Sequence, residues 1–287
     1  MALGDGFFRS IKRYVMDEAR EYLSLEQMQQ VSLETMLELD AFLKERGIPY
    51  MLCGGTMLGA ARHKGFIPWD DDIDLMMMRD DYDKLIALAP QINAMPHRKL
   101  VSAADGTFAR DYARYVRTDY GKDEDDIAAT DCPYLGLDIF PIDYIPDDQE
   151  LFVRQIKQRR PYLEMMVAYS SPFNAGSTFV KKQVRNVLRV AAKVYGPFKA
   201  ARKSIEICSR YRHAPENDIA IVCGMYGERE RWPLSECFPL VEVPFEGHML
   251  PAPHGYVRYL SGIYGEDFMQ MPPEDKRRPQ HIRIWKL

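Results

Sequence analysis

No pair of cysteines in this chain has the spacing of a redox or zinc motif. Cys53, Cys132, Cys208, Cys223 and Cys237 include no CxxC, and no histidines stand at zinc-finger intervals. They read as free thiols of a reducing compartment rather than as a disulfide framework. Also missing is any uncharged stretch approaching the roughly 18 residues of a membrane helix. Near the N-terminus Phe7 and Phe8 are soon followed by Arg9, Lys12 and Arg13, so no leader segment is expected there. The expectation is a cytoplasmic protein, soluble or resting on a membrane surface. Excess positive charge is absent as well: 38 Lys and Arg against 42 Asp and Glu leave −4, which argues against a nucleic-acid partner. Internal repeats and low-complexity tracts are lacking too. What is present is ordinary globular composition in 287 residues, enough for one or two domains.

Periodicity outlines the elements. Apolar residues from Leu25 to Leu43 recur at helical steps, Ser24 and Gln27 suit a capping box, and Gly47 suits the stop. Residues 49–53 (PYMLC) predict a short buried strand, and Gly54, Gly55 and Thr56 a sharp turn into a helix over 57–63. A loop leads to an aspartate-headed strand. Asp80 is expected to cap the next helix, which stops near Pro90. Strands are expected at 108–117 and 134–139, with a solvated acidic loop at 123–126 between them. Residues 147–212 read as mostly helical. Strands at 240–244 and 248–251 join through Glu246 and Gly247, and a helix follows near 256–264. This order lacks repeated βαβ units. It implies an α+β protein with a small mixed sheet flanked by helices, and an added helical subdomain.

The chemistry concentrates in residues 54–74, GGTMLGAARHKGFIPWDDDID. Four carboxylates in five residues repel one another. At ~4 Å and an effective dielectric near 20, each like pair costs roughly 4 kcal/mol. Such a cluster is spread out in water or held by a cation. The apolar run Leu75–Met78 behind it reads as a buried strand, so Asp72 and Asp74 share one face while Ile73 and Leu75 share the other. Paired carboxylates of this kind suit Mg²⁺ or Mn²⁺. The glycine turn before a helix offers amides to an anion such as a phosphate. Asp138, between Leu137 and Ile139, is either an exposed strand residue or a third ligand that completes a two-metal site.

A GG[ST] turn, a DxD strand and a later acid between apolar residues resemble the nucleotidyltransferase superfamily. Within it, GGTMLGAARHKGFIPWDDDIDL and LDIFPID are similar to the LicD family, with a fainter likeness at YLSGIYGEDFMQMPP and His281. The resemblance implies a nucleotidyltransferase-like core over 1–145, with 146–235 as a mainly helical acceptor-binding or membrane-facing region. Residues 236–287 would form a hairpin and helix packing back on the core. It further implies transfer of a phospho-alcohol, such as phosphocholine, from a CDP-linked donor to a sugar hydroxyl of a cell-surface glycan or lipopolysaccharide. The acceptor would then be a saccharide, in some cases lipid-linked, met at the inner face of the membrane. Asp72, Asp74 and Asp138 would bind the metal, and Gly54, Gly55 and Thr56 the donor phosphate.

Several neighbours fit around that site. Arg62 could meet donor phosphates, and Trp69 could pack the loop or stack on a base or choline. Asp70 and Asp71 suit supporting roles. Arg114 and Arg117 read as a solvated strand face more than as phosphate contacts. Residues 177–212 carry ten Lys and Arg against the single acid Glu206, with an interleaved apolar stripe. That stripe either packs on the core or lies on an anionic membrane. Rival functions are a nucleotidyltransferase moving an NMP, a DxD nucleotide-sugar glycosyltransferase, and a scaffold that keeps the fold without the chemistry.

Overall fold

The computed structural model describes residues 20–124, 132–173, 177–213, 217–277 and 282–287. Helix α1, Leu25–Glu45, is opened by the expected capping box of Ser24 and Gln27. Its inner face buries Met36, Leu39 and Leu43. The chain turns at Gly47, whose φ of +62° is cheap only without a Cβ. Strand β1 is only Met51–Leu52, shorter than expected, because Cys53 already caps helix α2, Gly54–His63. Strand β2, Asp74–Met78, is apolar behind its first residue, with Leu75, Met76 and Met77 fully buried.

Asp80 does not cap the next helix. Met78 holds that position, and Asp80 and Asp81 occupy the first turn of α3, Arg79–Ala87, where carboxylates favour the positive end of the helix dipole. Pro90 does not end a helix either; it sits in the first turn of the short α4, Ala89–Asn93, where its missing N–H costs nothing. After β3, Arg98–Val101, strand β4 spans Ala113–Glu124 and β5 spans Tyr134–Ile145. The strand expected at 108–117 is thus displaced. Phe108 leaves the ladder to fill a small apolar cluster with Val101, Val116 and Cys132. Of the acidic loop, Asp123 lies in β4 and residues 125–126 fall outside the described residues, as does His281.

The helical stretch comprises α5, Gln149–Ser170, α6, Phe179–Tyr195, and α7, Pro197–Cys208. Short strands β6, Asp218–Ala220, and β7, Trp232–Pro233, follow, then the hairpin β8, Leu240–Phe245, and β9, His248–Pro253. Helix α8, Tyr256–Tyr264, and strand β10, Ile282–Lys286, come last. Strands β3, β6, β7 and β10 were not foreseen.

The main sheet runs β1–β2–β5–β4–β10, with β3 on β4 and β6 on β5, and β7 on β6. Only β2 and β5 pair in parallel; the other neighbours are antiparallel. The architecture is α+β with a mixed sheet, as expected, though its eight strands make it larger than the small sheet foreseen. No helix among the described residues is long and apolar enough to cross a membrane.

Buried polar groups tie the layers together. Arg79 forks onto Asp143 at 2.6–2.7 Å, both fully enclosed. Arg159 of α5 donates to Asp111 and to the Cys223 carbonyl, and Ser204 of α7 joins the same carboxylate. Each such group is satisfied, which spares the desolvation cost of a lone buried charge.

Glu230 is an exception, as are the Gln155 Oε1 and the Trp232 Nε1. Glu230 is buried, one carboxyl oxygen accepts from the Tyr226 amide, and the other has no hydrogen-bond partner. Burial pushes its pKa up to about 7. A folded pKa above the ordinary 4.5 means its contribution to stability is complete below pH ~4.5 and is lost as pH rises through ~7, up to about 3 kcal/mol. Glu230→Gln should therefore gain stability over the wild type at pH 8 but not at pH 4.5. Urea denaturation at the two pH values checks this; a variant gain equal at both would contradict it.

Candidate active site

The glycine pair is not a turn ahead of a helix but the first turn of α2 itself. Gly54 takes φ +52°, and a Cβ there would sit 3.1 Å from a carboxylate oxygen of Asp74. At Gly55 a Cβ would come within 2.8 Å of a carboxylate oxygen of Asp70. The two glycines let two acids seat directly on a helix N-terminus, where unpaired amides and the dipole favour negative charge. This is the structural reason for two glycines at this point.

Thr56 is buried, and its hydroxyl oxygen accepts the Asp74 amide at 2.8 Å. The Cys53 amide donates to the Asp74 carbonyl at 3.1 Å. Helix α2 thereby fixes where β2 begins. Asp72 precedes that strand and is not part of it, although Ile73 and Leu75 are buried on the core side as the alternation implies. The parallel register then places Asp74 beside Asp138, and the antiparallel register of β4 and β5 places Arg114 on the other side of Asp138. Acid, acid and guanidinium stand in a row across three strands.

Arg114 is therefore not a solvated strand residue. Its Nε and Nη2 fork onto the two oxygens of Asp138, the second at 3.1 Å. Arg117 turns away and pairs with Asp119 at 2.6–2.9 Å. Lys122 adds a weaker positive influence on Asp72.

Two cations do not balance the acids. Asp70 is pushed up to about 8 by burial, by Asp72 and by Asp71. Burial and Asp138 raise Asp72, and burial, Asp72 and Asp138 hold Asp74 well above the carboxylate range. Asp70, Asp71 and Asp72 also bring one carboxylate oxygen each within 4.8 Å of one another. Asp70 and Asp71 thus lie in the acidic centre rather than merely beside it. A half-buried group of hard oxygens whose ionised forms oppose one another is a donor set that fits a divalent cation of the Mg²⁺ or Mn²⁺ type.

The surroundings differ from expectation in three places. The Gly54 amide donates to the Tyr259 hydroxyl of α8 at 3.1 Å, so of the three expected phosphate-binding positions it is already engaged. Arg62 sends Nη1 to the carbonyls of Phe268 and Gln270, at 3.1 and 3.0 Å, and holds the C-terminal segment against α2. Trp69 carries the Arg277 guanidinium 5.8 Å above its ring, with the His63 ring edge-on at 6.5 Å. Sequence reasoning missed Tyr259, Arg277 and the edge-to-face pair Tyr226 and Tyr264, whose rings lie 5.3 Å apart within reach of the Asp74 charge. The faint likeness at YLSGIYGEDFMQMPP covered Tyr259 and Tyr264; Tyr226 and Arg277 had no signal.

The loop between α2 and Asp70 is clamped from the far hairpin. Glu246 accepts the Phe66 amide at 3.0 Å, and its own amide donates to the Lys64 carbonyl at 2.9 Å. Gln29 of α1 donates to the Asp70 carbonyl at 2.7 Å. Every segment that carries an acid is thus tied to a packed element.

Gly55→Ala tests the seating of Asp70. Alanine in a first helical turn ordinarily stabilises by about 1 kcal/mol, and here its methyl must displace the carboxylate. The expected result is an unchanged or higher melting temperature with Mn²⁺ affinity weakened at least ~10-fold, about 1.4 kcal/mol. Unaltered Mn²⁺ titration would remove Asp70 from the centre.

Residues 47–185 match the family model described as LicD/FKTN/FKRP, nucleotidyltransferase domain. Over 267 residues the chain is 29% identical to the lipopolysaccharide cholinephosphotransferase LicD of Haemophilus influenzae, across 91% of this chain and 97% of that one. It is 46% identical over 48 residues to the human ribitol 5-phosphate transferase FKRP, across 17% of this chain and 10% of that protein. Mouse ribitol-5-phosphate transferase FKTN is 43% identical over 54 residues, across 19% and 12%.

Proposed function

We propose, from the premise that this chain belongs to the LicD family, that it moves a phospho-alcohol from a CDP-linked donor onto a sugar hydroxyl. The observation that carries the reading is the β2–β5 register. It sets Asp74 beside Asp138, with Asp72 two residues upstream and a helix N-terminus against the same acids.

Asp72, Asp74 and Asp138 would hold the cation, with Asp70 close enough to share it. A divalent ion held there would supply Lewis-acid charge to a diphosphate. Arg114 aims Asp138, since both of its carboxylate oxygens lie on one guanidinium fork. Thr56 keeps Asp74 at the strand start. With Gly54 engaged by Tyr259, the amides of Gly55 and Thr56 are the helix-start donors left to take a phosphate oxygen. Arg277 and Trp69 lie on the Asp70 side, where a cationic alcohol or a base could stack.

In the balanced step, an acceptor hydroxyl oxygen forms a bond to the phosphorus that bears the alcohol. The bond from that phosphorus to the bridging oxygen breaks, and CMP leaves with the electron pair. Asp138 would accept the hydroxyl proton. Rate enhancement comes from in-line positioning and charge neutralisation. The acceptor class, a cell-envelope glycan or lipopolysaccharide, rests on the relatives' activities.

Incubation with Mg²⁺, a panel of CDP-alcohols and lipopolysaccharide, scored by CMP release, tests the reading. One CDP-alcohol should give acceptor-dependent CMP. Asp138→Asn should lower turnover at least ~10³-fold, a loss of about 4 kcal/mol in the transition state, with the fold retained. In a parallel incubation with CTP in place of the CDP-alcohols, release of pyrophosphate would indicate NMP transfer and overturn the donor assignment.

A further inference from the structure

We propose that α6 is a docking helix that lays its apolar face on an anionic membrane surface, independently of the transferase reading. In a globular protein the apolar arc of a helix faces the core. In α6 that order is reversed. Phe179 is 75% exposed and Val194 85%, and Val180, Val184, Val187 and Val190 are exposed as well. At 3.6 residues per turn these six fall within one half of the helix circumference. The face turned to the body instead carries buried Ala192 and half-buried Lys182, Asn186 and Arg189. The stripe therefore does not pack on the core, one of the two readings open from sequence.

The helix is a stable unit in this pose. Thr178 caps its start by accepting the Lys181 amide, and Gly196 ends it at φ +97°. Its residues include five Lys and Arg and no acid. Lys181, Arg185 and Lys193 are exposed, and the adjoining α7 adds exposed Lys199 and Arg202. Glu206, the one acid of residues 177–212, is already paired with Lys203 at 2.6 Å.

Charge selects the occupant. Exposed Lys181 and Lys193 border the apolar arc, so a second copy apposed through the same face would bring like charges together along its rim. An anionic lipid surface offers both the complementary sign and an apolar layer. The stripe is mostly valine, so it would enter only the headgroup and upper acyl region, which suits reversible, salt-sensitive attachment. Such attachment would hold the protein beside a lipid-borne acceptor.

Co-sedimentation of the full chain decides it. The vesicles are phosphatidylcholine alone or with about 30% phosphatidylglycerol, in low salt and in about 0.5 M NaCl. Binding should appear with the anionic vesicles, fall at high salt, and be weak on phosphatidylcholine. The double variant Val187→Glu/Val194→Glu should reduce partition at least ~10-fold with unchanged circular dichroism and melting temperature, since both positions are exposed. Lys181→Glu/Lys193→Glu, at the exposed rim of the face, should do the same. Failure of the wild type to bind anionic vesicles overturns the proposal, as does binding that the valine double variant leaves intact. A dimer in light scattering that the same variant dissolves would assign the face to a second copy and overturn it too.

Discussion

Carboxylates at positions 70, 72, 74 and 138 are gathered at one end of the β2–β5 pair against their own repulsion, and much of the local architecture exists to hold them there. Two glycines clear the space at the start of α2, Thr56 pins the strand, and the Arg114 fork neutralises one acid of the group. The raised pKa values of Asp70, Asp72 and Asp74 record the strain left over. Burial and like charge act in the same direction, so a bound cation is the natural counterweight. A scaffold free of any need for the cluster would gain by losing one of these acids.

The rest of the chain closes around this centre from a distance in sequence. The β8–β9 hairpin clamps the loop through Glu246, and α8 supplies Tyr259 to the Gly54 amide. Arg62 then binds the carbonyls beyond α8. The C-terminal third is thus part of the site's wall. Helix α6 stands apart from this closure, with its apolar side turned outward.

Sequence disclosed the local elements better than their pairing. Local patterns found α1 with its capping box, the apolar strand behind Asp74 and the hairpin turn at Glu246 and Gly247, because each is set by neighbours within a few residues. Non-local pairing was hidden. That Arg114 would face Asp138 depends on a strand register that no local spacing encodes, and short strands such as β6 and β7 exist only because β5 has a free edge for them. The glycines were read as a phosphate-binding turn ahead of a helix, yet they form the helix's first turn and a Cβ on either would meet the acids themselves. The basic stripe at 177–212 left two packings open, and only the fold distinguished outward from inward.

The central claim is that these acids are mutually destabilising until a divalent cation joins them, and Asp74→Asn read by thermal melting tests it most directly. Without divalent ions, removing one charge should raise the melting temperature by about 2–4 °C per kcal/mol of relieved repulsion. With saturating Mg²⁺ the wild type should gain by linkage while the variant gains little, so the order of the two reverses. A variant that is less stable than the wild type by the same amount with and without Mg²⁺ would contradict the account.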